Sequence, residues 1–271
     1  MIEFTDRRAL MALLVTLAES AGDVVWRHFV AGCTVMHKAD ESPVTIADRE
    51  AEAVILTGLA AITPAIPVVA EEEAAAGRLP DAADAFFLVD PLDGTKEFIK
   101  RGDDFTVNIA LVEGGVPTMG VVYAPARHAV YWGDVALGAW QAVRAPDGER
   151  HDARDIHVRA CTDAPCAVAS KSHAMPGLDA WLDAGGIAAR VSVGSSLKFV
   201  LVASGEADVY PRTGPTMEWD TAAGDAVLRA AGGRTLDADG EPFRYGKPGF
   251  RNAGFVATGG YEPAPLRPFI A

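Results

Sequence analysis

FFLVDPLDGTKEFIKR, residues 86–101, is an apolar run cut short by two aspartates three positions apart and then by Gly94 and Thr95. Phe86 to Val89 reads as a buried strand, which puts Asp90 and Asp93 at its end, on the rim where open α/β sheets place ligands. Pro91 fixes its own φ and Gly94 permits a sharp turn, so both carboxylates and the Leu92 carbonyl between them can converge on one cation. An all-oxygen set suits Mg²⁺ or Mn²⁺, whereas zinc calls for imidazole or thiolate. Taken alone, DPLDG is also an ordinary turn.

Upstream, Leu10, Leu13, Leu14, Leu17, Ala21, Val24 and Val25 recur at helical spacing and predict a long amphipathic helix from Asp6 to about Phe29. Thr45 and Asp48 make a capping-box-like entry to a second helix ending near Ile62, and Ile66 to Ala70 reads as a strand running into Glu71. Downstream, residues 106–112, 116–123, 129–132 and 137–143 predict a strand meander. The polar stretch 145–155 is the expected division between an N-terminal α/β subdomain, 1–145, and a C-terminal one, 146–271. Beyond it, strands at 167–170, 190–193 and 207–210 alternate with helices at 176–183, 195–203 and 219–231, a βα-type layering.

A net charge of −13 over 271 residues argues against nucleic-acid binding and repels anionic substrates at long range, so such a substrate needs locally held cations. Cys33, Cys161 and Cys166 are odd in number and lack metal-ligand spacing to histidine, which predicts reduced thiols in a cytoplasmic protein. No uninterrupted apolar span of membrane length is read, so no integral membrane segment is expected. Peripheral association with the cytoplasmic face of an inner membrane, and the oligomeric state, stay open.

Acids stand at element ends in four segments: Asp48, Glu71 to Glu73, Asp90 with Asp93, and Asp220. Each has a plain alternative: a solvated acidic turn for Glu71 to Glu73, a favourable helix-start charge for Asp220. Gathered in one site, Glu71, Asp90, Asp93 and Asp220 could hold two or three divalent ions, enough to neutralise a phosphate and activate water. Paired ions roughly 3.5–4 Å apart stabilise attacking and leaving oxygens together, which suits a reaction as slow as phosphate-monoester hydrolysis.

These segments resemble the inositol monophosphatase superfamily, whose pattern of an aspartate, Glu-Glu, DPLDGT and WDxAA occurs here in order as Asp48, Glu71-Glu72, Asp90 to Thr95 and Trp219 to Ala223. KADESPVTIAD, DGTKEFIKR, VGSSLKF and YPRTGPTMEWDTAAG are similar to its bacterial CysQ-type branch of 3′(2′),5′-bisphosphate nucleotidases. The resemblance implies a layered αβαβα sandwich and a Mg²⁺-dependent, lithium-sensitive phosphatase. Its implied reaction removes the 3′-phosphate of adenosine 3′,5′-bisphosphate in sulfur assimilation. It further implies Glu71, Asp90, Asp93, Asp220 and the Leu92 carbonyl as metal ligands, and Glu72 as a supporting acid or a ligand to a weaker third ion. Thr95 and Asp48 become a water-orienting pair that works with Glu71. Ala70 and Glu73 depart from the family pattern, without touching a ligand.

For the substrate, Gly194, Ser195 and Ser196 could form an anion-binding nest with Lys198 close by, although Ser195 is also a plausible helix cap. Arg212 could clamp a second phosphate or be an ordinary surface arginine. Asp93, Gly94, Thr95 and Asp220 would face the reacting phosphate. Lys171 and His173 match a polar nucleotidase segment but are otherwise ordinary solvated residues. The rival readings are an inositol or sugar monophosphatase on the same scaffold and a non-catalytic nucleotide sensor.

Overall fold

The computed structural model describes residues 6–37, 43–80, 83–145, 147–161, 163–171 and 175–270; His173 and part of the loop before Pro43 lie outside the described residues. In chain order the elements are α1 (Arg7–Ala31), β1 (Val35–His37), β2 (Pro43–Thr45), α2 (Ile46–Ile62), β3 (Val68–Ala70), α3 (Glu71–Ala75), β4 (Ala85–Asp93) and α4 (Thr95–Ile99). Then come β5 (Thr106–Glu113), β6 (Val116–Ala124), β7 (Ala129–Asp134), β8 (Gly138–Arg144), β9 (Arg150–Asp155) and β10 (Cys166–Ser170). The chain closes with α5 (Leu178–Ala184), β11 (Ala189–Val193), α6 (Leu197–Ala203), β12 (Val209–Arg212), β13 (Thr216–Met217), α7 (Ala222–Ala230), β14 (Arg234–Asp237), β15 (Arg251–Asn252) and β16 (Phe255–Thr258).

Alternation along β4 builds the layers. Phe87 and Val89 point into a core shared with α1 and α2, while Phe86 and Leu88 point into a second core with α6 and α7. Among the described residues β3 to β9 form a seven-stranded sheet in sequential order, and β11-β10-β12-β16-β14 form a five-stranded one. The second core lies between the two sheets, and α5 covers the far face of the smaller sheet through Leu178, Trp181 and Leu182. The result is the expected αβαβα sandwich. Helix α7 sits so close to the large sheet that a Cβ on Gly120 would come within 2.3 Å of the Ala223 carbonyl. Only glycine fits there.

Four expectations change. Residues 150–155, expected near a subdomain division, form β9 and pair with β8, so the large sheet continues through them. Helix α6 starts at Leu197 rather than Ser195, because Ser195 is in the left-handed region at φ 46. The cap position falls to Ser196, without a side-chain cap bond. Helix α7 starts at Ala222 rather than Trp219, since the Asp220 carboxylate turns back to accept from the Met217 amide at 2.8 Å. Finally, α1 is long and apolar enough to cross a membrane, with mean hydropathy 1.5, although 56% of that span is buried inside the fold. Its apolar side packs on α2 and the large sheet, which accounts for its composition.

Candidate active site

β4 does not stop at Val89 but runs on to Asp93, and its pairing with β5 slips between Asp90 and Asp93. That irregularity turns both aspartates toward one end of the sheet. The Asp90 carboxylate accepts from the Leu92 amide at 3.0 Å, and Gly94, at φ 91, ends the strand and caps α4. A side chain at Gly94 would also strike the Asp104 carbonyl at 2.6 Å. Thr95 opens α4, its hydroxyl lying 3.1 Å from the Leu92 carbonyl and 3.3 Å from Asp48 Oδ1.

Asp48 is held by the predicted capping box: its Oδ2 accepts from the Thr45 amide at 2.8 Å and the Thr45 hydroxyl at 2.7 Å. Burial raises its pKa to about 6, against those two bonds and with some repulsion from Glu72. One helical turn further on stands Glu52, missed in the sequence reading. Its carboxylate accepts from the Glu72 amide at 2.8 Å, tying α2 to the start of α3. Burial, together with repulsion from Glu72, Glu73 and Glu71, lifts it to about 7. Its spacing of four from Asp48 on one helix face was the available signal.

A cleft of about 610 Å³ opens over this end of the sheet, lined on one side by Glu71, Asp90, Leu92, Asp93, Gly94 and Thr95 and on the other by Gly194, Ser195, Lys198, Arg212 and Asp220. The structure therefore brings the expected segments together. Glu72 and Ser196 stand just behind the lining. Ser196 donates to Asp93 at 3.0 Å or to the Asp220 carbonyl at 2.9 Å, and accepts from Asn108 at 2.9 Å, so one hydroxyl joins three segments.

The acids strain against one another. Burial drives Asp90 well above the usual carboxylate range, reinforced by repulsion from Glu71, Asp93 and Asp220 and by a hydrogen bond with Glu71. Burial likewise pushes Asp220 to about 8, with Asp93 and Glu71 adding repulsion. Asp93 is raised by burial despite the nearby Lys198 and Ser196. Among the described residues no three acid, His or Cys side chains are already closed into a metal cage; Asp93 spends an oxygen on Ser196 of the facing segment and Asp220 spends one on the nearby Met217 amide. The donor set nonetheless fits a hard divalent cation: all oxygen, buried and mutually repelling, a repulsion that positive charge relieves as protons do.

Cations stand on the opposite wall. Lys198 is buried, its ammonium donating to the Ser195 carbonyl and lying 5.4 Å from the centre of the Tyr210 ring. Burial lowers it to about 8, against the pull of Asp93. Arg212 ends β12 and gives two donors to its own loop, Nε to Gly214 O at 3.3 Å and Nη2 to Pro215 O at 3.1 Å. Lys171 is turned to Asp104 at 3.3 Å. Asp104, unremarked in the sequence reading, also accepts from Arg127 and from the Gly194 amide at 3.0 Å, and so fixes the 194–196 turn beside the DGT turn. Burial would raise it, but the Gly194 bond and Arg127 hold it below its ordinary value. No spacing pattern marks it.

Relatives share the fold. The sequence pattern of the inositol monophosphatase family matches residues 6–261. The chain is 45% identical over 242 residues, 88% of its length and 95% of the relative's, to 3′(2′),5′-bisphosphate nucleotidase CysQ of Escherichia coli K12. The crystal structure of CysQ from Bacteroides thetaiotaomicron, a bacterial member of the inositol monophosphatase family, is 37% identical. It superposes with a TM-score of 0.80 over 95% of this chain and all of that one. An inositol monophosphatase from Anabaena, 24% identical, shares the fold with a TM-score of 0.72 over 98% of this chain and all of that one. A family pattern spanning nearly the whole chain, on a fold its members share, means that the chain belongs to the inositol monophosphatase family.

Proposed function

We propose that the protein is a Mg²⁺-dependent phosphatase that removes the 3′-phosphate of adenosine 3′,5′-bisphosphate, leaving AMP and phosphate, and so clears a by-product of sulfur assimilation in the cytoplasm. The observation that carries this reading is the crowding of Glu71, Asp90, Asp93 and Asp220 in a cleft also lined by Thr95, Lys198 and Arg212, with Asp48 buried against the Thr95 hydroxyl. The 45% identity to CysQ supports a nucleotide bisphosphate over an inositol phosphate.

Glu71, Asp90, the Leu92 carbonyl, Asp93 and Asp220 would hold two or three ions, with Glu72 beside them; Mn²⁺ is a chemically similar substitute. Bound there, Mg²⁺ supplies positive charge for the transferring phosphate and acidifies water. The chain's own residues do the rest. With its proton directed to Asp48 Oδ1 or Leu92 O, the Thr95 hydroxyl keeps a lone pair to accept a hydrogen bond from the attacking water. Asp48, raised to about 6, is suited to take the proton handed on through Thr95. The 194–196 turn and the cationic wall orient the nucleotide.

Phosphate release should be measured on adenosine 3′,5′-bisphosphate, inositol monophosphate and fructose bisphosphate, with Mg²⁺ and with a chelator. The expected result is the highest kcat/KM on the adenosine bisphosphate and no turnover with the chelator. Equal or faster turnover of inositol monophosphate would move the assignment to the sugar-phosphatase branch.

A further inference from the structure

Arg251 is an exposed residue on the rim of the same cleft. In a protein of net charge −13, no carboxylate or carbonyl among the described residues pairs with its guanidinium. Most arginines of this chain are engaged: Arg7, Arg78, Arg127, Arg144, Arg159 and Arg229 are all in ion pairs. An unpaired arginine facing an acid-floored cleft is placed to meet an anion brought from outside.

Its position is built. Arg251 lies on β15, which pairs with β13 so that Arg251 stands opposite Met217, three residues before Asp220. The chain reaches it through residues 246–250, where Gly249 at φ 67 and Phe250 at φ 53 make a tight turn. Glu218, wholly buried, clasps the start of that segment: it accepts from the Gly246 amide at 2.8 Å and the Lys247 amide at 3.0 Å, and pairs with the Lys247 ammonium at 2.7 Å. Asn252, the next residue, donates to the Met217 carbonyl at 2.9 Å. Buried bonds on both sides thus hold the backbone of Arg251 against Met217 while its side chain stays uncommitted.

Arg212 stands on the same wall but has two of its donors tied to Gly214 and Pro215. A phosphate there meets only part of the Arg212 fork, and Arg251 offers an unused one. Arg212 and Arg251 line the same cleft as the acids, so a bisphosphate whose reacting group sits over the acids can turn its second anionic group toward the two arginines.

We infer that Arg251 is a specificity-determining residue that receives the non-reacting phosphate of a nucleotide bisphosphate together with Arg212. The inference rests on the phosphatase reading above. Its test compares kcat/KM on adenosine 3′,5′-bisphosphate and on 3′-AMP for the unmodified protein, Arg251→Ala and Arg251→Lys, and measures AMP against adenosine binding calorimetrically. Arg251→Ala should lose about tenfold or more on the bisphosphate, carried by KM, and far less on 3′-AMP, as for one charge-assisted fork. Arg251→Lys should recover part of the loss, and AMP should bind the alanine variant more weakly while adenosine does not. Equal losses on both substrates, or no loss on either, would overturn the inference. If the unmodified protein released no phosphate from the bisphosphate, the functional reading itself would fail.

Discussion

On the N-terminal wall of the cleft the turns that present the acids close over two or three residues, Thr45 with Asp48, Asp90 with the Leu92 amide, Thr95 with the Leu92 carbonyl, and the Thr95–Asp48 contact then joins two such turns. On the C-terminal wall Arg212 and Asp220 also bond locally, but the segment that carries Arg251 is held over long separations: Glu218 reaches 28 and 29 residues ahead to Gly246 and Lys247, and Asn252 reaches 31 residues back to Thr221. The first kind forms with the strand and helix that carry it. The second exists only after the β13–β15 ribbon has docked, at the cost of closing a longer loop. On the proposed reading, the water-handling residues sit on locally closed turns and substrate selection falls to a segment assembled from distant pieces.

The acids between the walls should give the largest effect. Asp90→Asn replaces the most strongly repelled carboxylate with a neutral amide, so turnover should fall by at least about 10³-fold, since ion-based charge stabilisation is worth several kcal/mol. The metal-free melting temperature should not fall, because asparagine has the shape of a carboxyl that burial and the neighbouring acids already disfavour as an anion. Activity within tenfold of the unmodified protein at saturating Mg²⁺ would detach Asp90 from the chemistry. Thr95→Ala should come next, lowering kcat on the order of 10²-fold with little change in KM, because its hydroxyl is assigned to water. A change confined to KM would make this wall a recognition surface.

Glu218→Ala probes the other wall. It leaves the Gly246 and Lys247 amides without their acceptor and the Lys247 ammonium without its carboxylate, and should cost on the order of 2–3 kcal/mol in denaturant unfolding. KM for the bisphosphate should rise as the segment before Arg251 loosens, while Mg²⁺ affinity measured by titration stays near its original value. If Mg²⁺ affinity fell in step with KM, the two walls would be one unit and the contrast would break.

The same contrast decides what could be read from the chain. The DPLDGT turn, the Thr45–Asp48 box and the alternating β4 strand are local patterns, and each stands in the structure as a turn, a cap and a strand. The ends of α6 and α7 were misplaced because a left-handed Ser195 and a back-turned Asp220 carboxylate override helical spacing, and neither leaves a periodic signature. Asp104 and Glu218 were missed for another reason: their partners at Gly194, Gly246 and Lys247 are set by topology, not spacing. β9 reads as a polar linker because all six of its residues are exposed, leaving no apolar alternation to mark a strand.

Glu52 lies between these cases and gives the smallest effect. Burial, with the help of the Glu72, Glu73 and Glu71 charges, raises its pKa from 4.5 to about 7 in the folded protein, against a hydrogen bond from the Glu72 amide. In that window the folded state keeps a proton that the unfolded chain has released, so the folded state binds more protons and stability must fall as pH rises. Unfolding of the chelator-treated protein should therefore show stability declining from about pH 4.5 through pH 7, with the part due to Glu52 complete near pH 7 and Asp220 extending the decline toward pH 8. Asp48, raised to about 6, contributes to the same decline. Glu52→Gln keeps an oxygen for the Glu72 amide but has no proton to hold, so the decline should become shallower without disappearing. An unchanged slope would mean that Glu52 meets water freely in the folded protein, and that the N-terminal wall carries less buried charge than its bonds imply.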